Sequence, residues 1–115
     1  MNKIKLWIDD ERVEPVGWLR ASDAPNAIQA IQLYLEYLEA ISFDYDIGAY
    51  GNGALVAKSL KTLKLFTDIK FNIHSENPKG IIELEAILAE ILEELGHPKT
   101  NITYYSNSQI NMHPL

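Results

Sequence analysis

The chain has 115 residues, which fits one domain with a buried hydrophobic core and argues against two domains. Its 47% of hydrophobic and 23% of charged residues exclude a disordered or fibrous chain and indicate an ordinary globular fold. A net charge of −6 argues against bulk DNA binding, and the absence of cysteine excludes disulfides, thiolate metal sites and a cysteine nucleophile.

The first part of the chain combines two strand patterns with one helix pattern. Ile4, Leu6 and Ile8 recur at a period of two, which predicts a strand. Acids follow at once, which argues against a signal peptide or membrane span, and we expect a cytoplasmic protein with no membrane segment. The stretch "GWLRA" predicts a brief second strand. Ser22 is the expected N-cap of a helix whose apolar face comprises Ala24, Ala27, Ile28, Ile31, Tyr34, Leu35 and Leu38.

The rest of the chain repeats the alternation of strand and helix. "AISFDYDIG" predicts a strand that ends at the polar loop "GAYGNG", and a helix follows from about residue 54 to residue 65. "DIKFNIHS" predicts another strand, and "NITYYS" predicts a last short one. Between these two, Gly96 is the expected left-handed C-cap of a helix with the apolar stripe Ile81, Leu84, Leu88, Ile91 and Leu95.

The order of these elements predicts the fold class. Strands that alternate with helices form parallel sheets with right-handed crossovers, so we expect one α/β domain with about five strands and helices on both faces. The domain would span residues 1–115, with its core at about residues 3–106 and an unassigned tail at residues 107–115. In such a sheet, ligands bind outside the carboxyl ends of the strands, near the point where the strand order reverses.

Two pairs of aspartates lie at such strand ends, in "WIDDE" and "SFDYDIG". In a 2-1-3-4-5 strand order the two strands are neighbours, about 5 Å apart, so that Asp9, Asp10 and Asp44 would converge. Carboxylates this close repel one another unless a cation holds them ionised. Mg²⁺, or Mn²⁺ in its place, is the expected ion because it prefers oxygen ligands.

The end of the "KFNIHS" strand should reach the same rim. His74, Ser75 and Asn77 would bring a proton donor, a hydroxyl and an amide. Lys79 and Gly80 open the next helix, whose first N–H groups and positive dipole end favour a phosphate. The rim therefore predicts an anion site beside the metal site.

Each of these motifs also has a purely structural interpretation. "DDER" could be a solvated turn, "DYD" could cap its own backbone, and "HSENPKG" could be an Asn-Pro turn before a helix. A lone histidine such as His74 is more often structural than catalytic, and Trp7 and Trp18 are more often packing residues than a base-stacking pair. "GAYGNG" contains no complete phosphate-binding glycine signature.

Together the motifs resemble the cyclic-phosphate processing receiver domains, a branch of the receiver fold. The resemblance covers most of the chain, from "KLWIDDERVEPVGW" through "ISFDYDIG" and "HSENPKG" to the helix that follows. It implies a flavodoxin-like sheet in the order 2-1-3-4-5, with "ERVEPV" in place of the usual first helix. It also implies that Asp9 and Asp10 bind Mg²⁺, that Asp44 is the acid at the end of the third strand, and that Ser75 contacts phosphate.

Two positions depart from the family pattern. Tyr45 stands where the family has a histidine between its two aspartates, so a proton-transfer role would fall to His74 or be lost. The lysine followed by proline that ordinary receivers carry after the last strand is replaced by "YYSNSQ". A conventional phosphorylation switch is therefore less expected, because the cation that pairs with the phosphoryl group is missing.

The leading hypothesis is a Mg²⁺-dependent phosphoesterase that opens a cyclic phosphate, such as a 2′,3′-cyclic phosphate on a small nucleotide or an RNA end. Asp44 or Asp46 would orient or replace the attacking water, and His74 would protonate the leaving oxygen. Ser75, Asn77, Lys79, Gly80 and Arg12 would hold the phosphate. The alternatives are a non-catalytic module that binds Mg²⁺ with a nucleotide or a protein partner, and a phosphoacceptor that regulates a partner through Asp44. The substrate and the oligomeric state do not follow from the sequence.

Overall fold

The computed structural model describes residues 3–63 and 68–105, which fold around a five-stranded parallel sheet. Its strand order, β2-β1-β3-β4-β5, confirms the predicted order 2-1-3-4-5. The strands are β1 (Ile4–Ile8), β2 (Leu19–Ala21), β3 (Leu38–Phe43), β4 (Lys70–Ile73) and β5 (Ile102–Tyr104).

Three α-helices connect the strands. They are α1 (Ala24–Leu33), α2 (Gly53–Ser59) and α3 (Pro78–Leu95). Short 3-10 turns extend the connections at Leu35–Tyr37, Leu60–Thr62 and Lys99–Asn101.

One face of the sheet forms the hydrophobic core. Leu6, Ile41, Phe71 and Ile102 lie in one row across β1, β3, β4 and β5 and belong to one buried cluster. All three helices contribute residues to the same cluster, through their buried side chains. The helices therefore pack together on this face.

The second face differs from the prediction of helices on both sides of the sheet. Within residues 3–63 and 68–105, no α-helix packs on this second face of the sheet. The β1–β2 connection is a loop, because Pro15 and Gly17 form a turn closed by a hydrogen bond from the Trp18 N–H to the Pro15 carbonyl, and Gly17 has a φ of +90°. Residues 106–115, which follow β5, lie outside the described residues.

Several element boundaries also differ from the prediction. The N-cap of α1 is Asp23 rather than Ser22, because the Asp23 carboxylate accepts a hydrogen bond from the Asn26 N–H. Leu38 belongs to β3 and not to the apolar face of α1. The regular part of the second helix is shorter than expected and ends at Ser59, and residues 64–67 lie outside the described residues. The left-handed C-cap at Gly96 is confirmed, with a φ of +76°.

No helix in the described part of the chain has the length and apolar character needed to cross a membrane. The candidate functional residues lie at the carboxyl ends of β1, β3 and β4.

Candidate metal and phosphate site

A cavity of about 440 Å³ opens at the carboxyl ends of β1, β3 and β4. Its lining is strongly acidic, and Arg12 is the one basic residue among the described residues that line it. An anionic substrate could enter such a cavity only with a cation to offset the carboxylates. The lining residues are Asp9, Asp10, Glu11, Arg12, Asp44, Asp46, Gly48, Glu76, Asn77 and Pro78.

Asp9 is the most buried carboxylate of the site, with 0% of its surface exposed. The backbone N–H groups of Glu11 and Arg12 each donate to its Oδ1 at 2.8 Å, and His74 Nε2 lies 3.0 Å from its Oδ2. Burial acts to raise the pKa of Asp9, but these hydrogen bonds outweigh burial and hold the pKa below its usual value. Asp9 is therefore ionised at neutral pH.

Asp44 is placed differently, although it lies close to Asp9. It directly follows β3, and its Oδ1 accepts a hydrogen bond of 2.7 Å from the Tyr45 N–H. Burial and repulsion from the Asp9 carboxylate raise the pKa of Asp44 to about 6, against the stabilising hydrogen bonds from Ser75 and Tyr45. In the absence of a cation, the site thus resists a second negative charge.

Three residues form a group that could hold a metal ion. Asp9, Asp44 and His74 each offer a ligand atom, and these atoms lie within 4.8 Å of one another. Two adjacent carboxylates, one with a raised pKa, fit a divalent cation because the cation would remove their repulsion. Asp10, which the sequence predicted as a ligand, is exposed, lines the cavity and lies outside this group.

His74 lies behind Asp9 and does not line the cavity. Its ring stacks on Trp7 with a centroid separation of 3.7 Å and an interplanar angle of 5°, and only 1% of the residue is exposed. Burial lowers the pKa of His74, and this outweighs the opposing effect of the Asp9 carboxylate, so the imidazole is neutral at neutral pH. Direct proton donation to a substrate is therefore hard to reconcile with its position.

Most polar groups of the predicted anion site at the start of α3 form hydrogen bonds within the protein. The Asn77 side chain caps the helix by accepting from the Gly80 N–H at 3.1 Å, and its Nδ2 donates to Asp46 Oδ2 at 3.2 Å. The Ser75 hydroxyl accepts from the Asn77 N–H at 3.1 Å. Ser75 and Gly80 are buried, and Lys79 is exposed but does not line the cavity.

Arg12 is the remaining candidate for contact with a phosphate. Its guanidinium donates to the His74 carbonyl and lies 3.4 Å from the Glu76 carboxylate. These two contacts hold the guanidinium at the wall of the cavity. Asp46 is exposed on the rim, where Asn77 orients it.

Tyr45, which stands where the resemblance implies a histidine, does not line the cavity. Its hydroxyl donates to Glu83 Oε2 at 2.9 Å and accepts from Asn52 Nδ2 at 3.0 Å. Tyr45 thus ties the loop after β3 to the start of α2 and to α3. This position is structural in the present arrangement.

Sequence reasoning did not assign to the site three residues that contact its members. Glu76 forms an ion pair with Arg12. Trp7 stacks on the His74 ring, and the Ser42 hydroxyl contacts Nδ1 of that ring. Ser42 could have been noticed in the sequence, because it is a polar residue within an apolar strand. The partners of Trp7 and Glu76 are distant in sequence and had no local signal.

Comparison with known proteins agrees with this architecture. The family model of the cyclic-phosphate processing receiver domain matches residues 4–90. No curated protein matches the chain.

Two solved structures share the fold. The CheY-like response regulator receiver domain from Methylobacillus flagellatus aligns with a TM-score of 0.54 at 18% identity, over 83% of this chain and 99% of that one. A fusion protein that carries a trimeric coiled-coil segment of yeast Spc42 aligns with a TM-score of 0.65 at 13% identity, over 94% of this chain and 70% of that one. At these identities the likeness shows the fold alone, which is the receiver fold.

Proposed function

Because the chain belongs to the cyclic-phosphate processing receiver domains, we propose that it is a metal-dependent phosphoesterase that opens cyclic phosphates. The substrate would be a 2′,3′-cyclic phosphate on a small nucleotide or on an RNA end. The observation that carries the proposal is the adjacent pair Asp9 and Asp44 on the wall of an acidic cavity, with the pKa of Asp44 raised to about 6. Such a pair suits a divalent cation, and a cation is what a phosphate needs to enter the cavity.

Asp9 and Asp44 would hold the cation, with Asp10 at the exposed side of the cavity as a further oxygen donor. A bound Mg²⁺ or Mn²⁺ would polarise the phosphoryl oxygens and lower the pKa of a bound water. Asp9 is suited to this task because the N–H groups of Glu11 and Arg12 keep it ionised and fixed in position.

Asp46 would act as the proton acceptor for the attacking water. It is exposed on the rim and oriented by the Asn77 amide, so it can reach a substrate in the cavity. The water oxygen bonds to phosphorus, one ring P–O bond breaks, and the proton taken from water passes to the oxygen that leaves. The products are a phosphomonoester and a free hydroxyl.

Arg12 would contact the phosphate, and His74 would act through Asp9. The Arg12 guanidinium is held at the cavity wall by Glu76 and can share its remaining N–H groups with a phosphate oxygen. The buried His74 contacts Asp9 through its Nε2 at 3.0 Å and does not line the cavity.

The experiment is release of phosphomonoester from a panel of 2′,3′-cyclic nucleotides and of RNA with cyclic-phosphate ends, with Mg²⁺ or Mn²⁺ and with a chelator. We expect turnover that depends on the metal, and a loss of at least about 100-fold in Asp44→Asn because a metal ligand is removed. Glu93→Gln, an exposed position on α3, is the matched control and should retain full activity. Full activity in Asp44→Asn would contradict the assignment.

A second candidate is a signalling module that binds a metal with a nucleotide or a protein partner but does not turn over. The observation that favours it is Tyr45, whose hydroxyl is committed to Glu83 and Asn52 instead of facing the cavity. This candidate predicts metal binding by wild type and its loss in Asp44→Asn, without phosphomonoester release from any substrate in the panel. Calorimetric titration with Mg²⁺ and Mn²⁺ alongside the activity assay distinguishes the two candidates.

A further inference from the structure

A chain of buried hydrogen bonds leads away from the candidate metal site across the second face of the sheet. His74 Nδ1 lies 2.7 Å from Ser42 Oγ, Asn72 Nδ2 donates to Ser42 Oγ at 2.8 Å, and Thr103 Oγ1 donates to Asn72 Oδ1 at 2.8 Å. Ser42, Asn72 and His74 are each at most 1% exposed. A polar chain this deeply buried is stable only if every member is hydrogen-bonded.

In one polarity of this chain, His74 donates to Asp9. The ionised Asp9 carboxylate can only accept a hydrogen bond, and the Ser42 hydroxyl, which accepts from Asn72, can donate its own hydrogen to an unprotonated His74 Nδ1. His74 Nε2 therefore carries the ring proton and donates to Asp9 Oδ2. In this tautomer, Nε2 has no lone pair for a metal ion.

The same heavy atoms also support the opposite polarity. If the Asn72 amide turns over, its Nδ2 donates to Thr103, its Oδ1 accepts from Ser42, and Ser42 accepts from a protonated His74 Nδ1. Ser42, Asn72 and Thr103 again each have a hydrogen-bond partner, because hydroxyl and amide groups both donate and accept. His74 Nε2 then presents a lone pair toward Asp9.

We propose that His74 Nε2 is a ligand of the metal ion at Asp9 and Asp44, and that the Ser42–Asn72–Thr103 chain reverses its polarity when the ion binds. The proposal rests on the metal site of the proposed function and extends it to the kind of metal. An imidazole ligand favours a transition ion such as Zn²⁺, Fe²⁺ or Mn²⁺ over Mg²⁺, which prefers an all-oxygen shell.

The geometry around the ring supports this assignment. The 3.0 Å between His74 Nε2 and Asp9 Oδ2 is close to the spacing of about 3 Å between adjacent ligands with bonds of about 2.1 Å to one ion. The Trp7 ring, stacked at 3.7 Å, fixes the plane of the imidazole. Trp7 is fixed in turn by donation from its Nε1 to the Arg12 carbonyl at 3.3 Å. A metal-binding histidine commonly forms a hydrogen bond through its other ring nitrogen, and Ser42 is that partner for His74 Nδ1.

The direct test is NMR spectroscopy of the histidine ring nitrogens in wild-type protein, without metal and with saturating Zn²⁺, which is diamagnetic. His97→Gln and His113→Gln identify the His74 signals. We expect the Nε2–H tautomer in metal-free protein and the Nδ1–H tautomer with Zn²⁺. An unchanged tautomer at saturating Zn²⁺ would overturn the proposal, and this measurement needs no change at the buried residue.

Calorimetric titration of Ser42→Ala with Zn²⁺ and with Mg²⁺ is the second test. We expect Zn²⁺ affinity to fall by about 10-fold to 100-fold, because His74 loses its orienting partner, and Mg²⁺ affinity to change by less than about 2-fold. Ser59→Ala is the matched control, since that hydroxyl donates to the Val56 carbonyl within α2. Equal losses for both ions in Ser42→Ala would contradict a nitrogen ligand.

These readouts separate the two proposals. A tautomer change with Zn²⁺ but no turnover of any cyclic phosphate would refute the proposed phosphoesterase and support the ligand assignment. Mg²⁺-dependent turnover without any change of tautomer on Zn²⁺ addition would do the reverse.

Discussion

At the scale of single residues, two aspartates that lie side by side in the site have pKa values shifted in opposite directions. Asp9 is deeply buried, but two backbone N–H groups and His74 stabilise its charge and lower its pKa. Asp44 has one backbone N–H and lies next to a charge of the same sign, so its pKa is raised to about 6. The environment, and not the residue type, therefore decides which carboxylate is ionised first.

This difference makes a prediction for stability against pH in the presence of a chelator. A carboxyl whose folded pKa is raised favours the folded state while it is protonated, and loses that contribution as pH rises from about 4 to about 6. Asp44→Asn keeps the neutral form, so above pH 6 it should be more stable than wild type by about 1–2 kcal/mol. The difference should vanish near pH 4, as measured by urea unfolding.

The neighbouring Asp46→Asn is the control for that prediction. Asp46 is exposed, and an asparagine there can still accept the hydrogen bond from Asn77. We expect a change below about 0.5 kcal/mol across the same pH range. A wild type as stable as Asp44→Asn at neutral pH would show that the Asp44 charge is not unfavourable in the folded state.

At the scale of elements, the first turn of α3 and the loop after β3 fit together through Tyr45 and Gly80. The Tyr45 ring lies where a side chain at Gly80 would stand, and the Tyr45 hydroxyl bonds to Glu83 one turn further along α3. A helix normally gains from alanine in place of glycine. Here a close approach of ring and backbone requires the glycine.

Gly80→Ala is therefore expected to destabilise the protein by about 1–3 kcal/mol, since the added methyl overlaps the ring of Tyr45 and the core cannot shift freely. The double variant Tyr45→Ala, Gly80→Ala should be less destabilised than the sum of its single changes, because the overlap is gone. Thermal or urea unfolding measures both effects. Ile82→Ala, at an exposed position of the same helix, is the control and should cost less than about 0.5 kcal/mol. Additive effects of the two changes would contradict the contact.

At the scale of the whole molecule, the site joins the ends of three strands. Asp9 follows β1, Asp44 follows β3 and His74 follows β4, and these strands are the centre of the sheet. The repulsion between the two carboxylates acts against this arrangement, and a cation would remove it. Metal binding should therefore stabilise the complete fold and not one loop.

We expect a divalent cation at about 100 times its dissociation constant to stabilise the wild type by about 2.7 kcal/mol, with a rise of several degrees in Tm. In Asp44→Asn the rise should be largely lost at the same ion concentration, because one ligand is weakened. Thermal unfolding with added Mn²⁺ or Mg²⁺, compared with a chelator, measures it. An equal rise in both proteins would place the ion elsewhere on the molecule.

The sequence by itself determined the order of elements and the edge of the sheet where the candidate residues lie, and its resemblance to the receiver domains implied the strand order. The order of elements and the common edge follow from local periodicity, from caps such as Gly96, and from the rule that parallel strands end at one edge. The sequence could also nominate Asp9, Asp44 and His74, because each directly follows a strand. Local patterns carry this information because strands, helices and their caps depend on residues that are close in sequence.

The tertiary structure alone decided what each nominated side chain does. It buried His74 behind Asp9 and used Asn77 as a helix cap. It also separated the environments of Asp9 and Asp44 and placed all three described helices on one face. Hydrogen bonds such as that between Ser42 and His74 join residues far apart in the chain, and no local pattern encodes their distance, burial or charge.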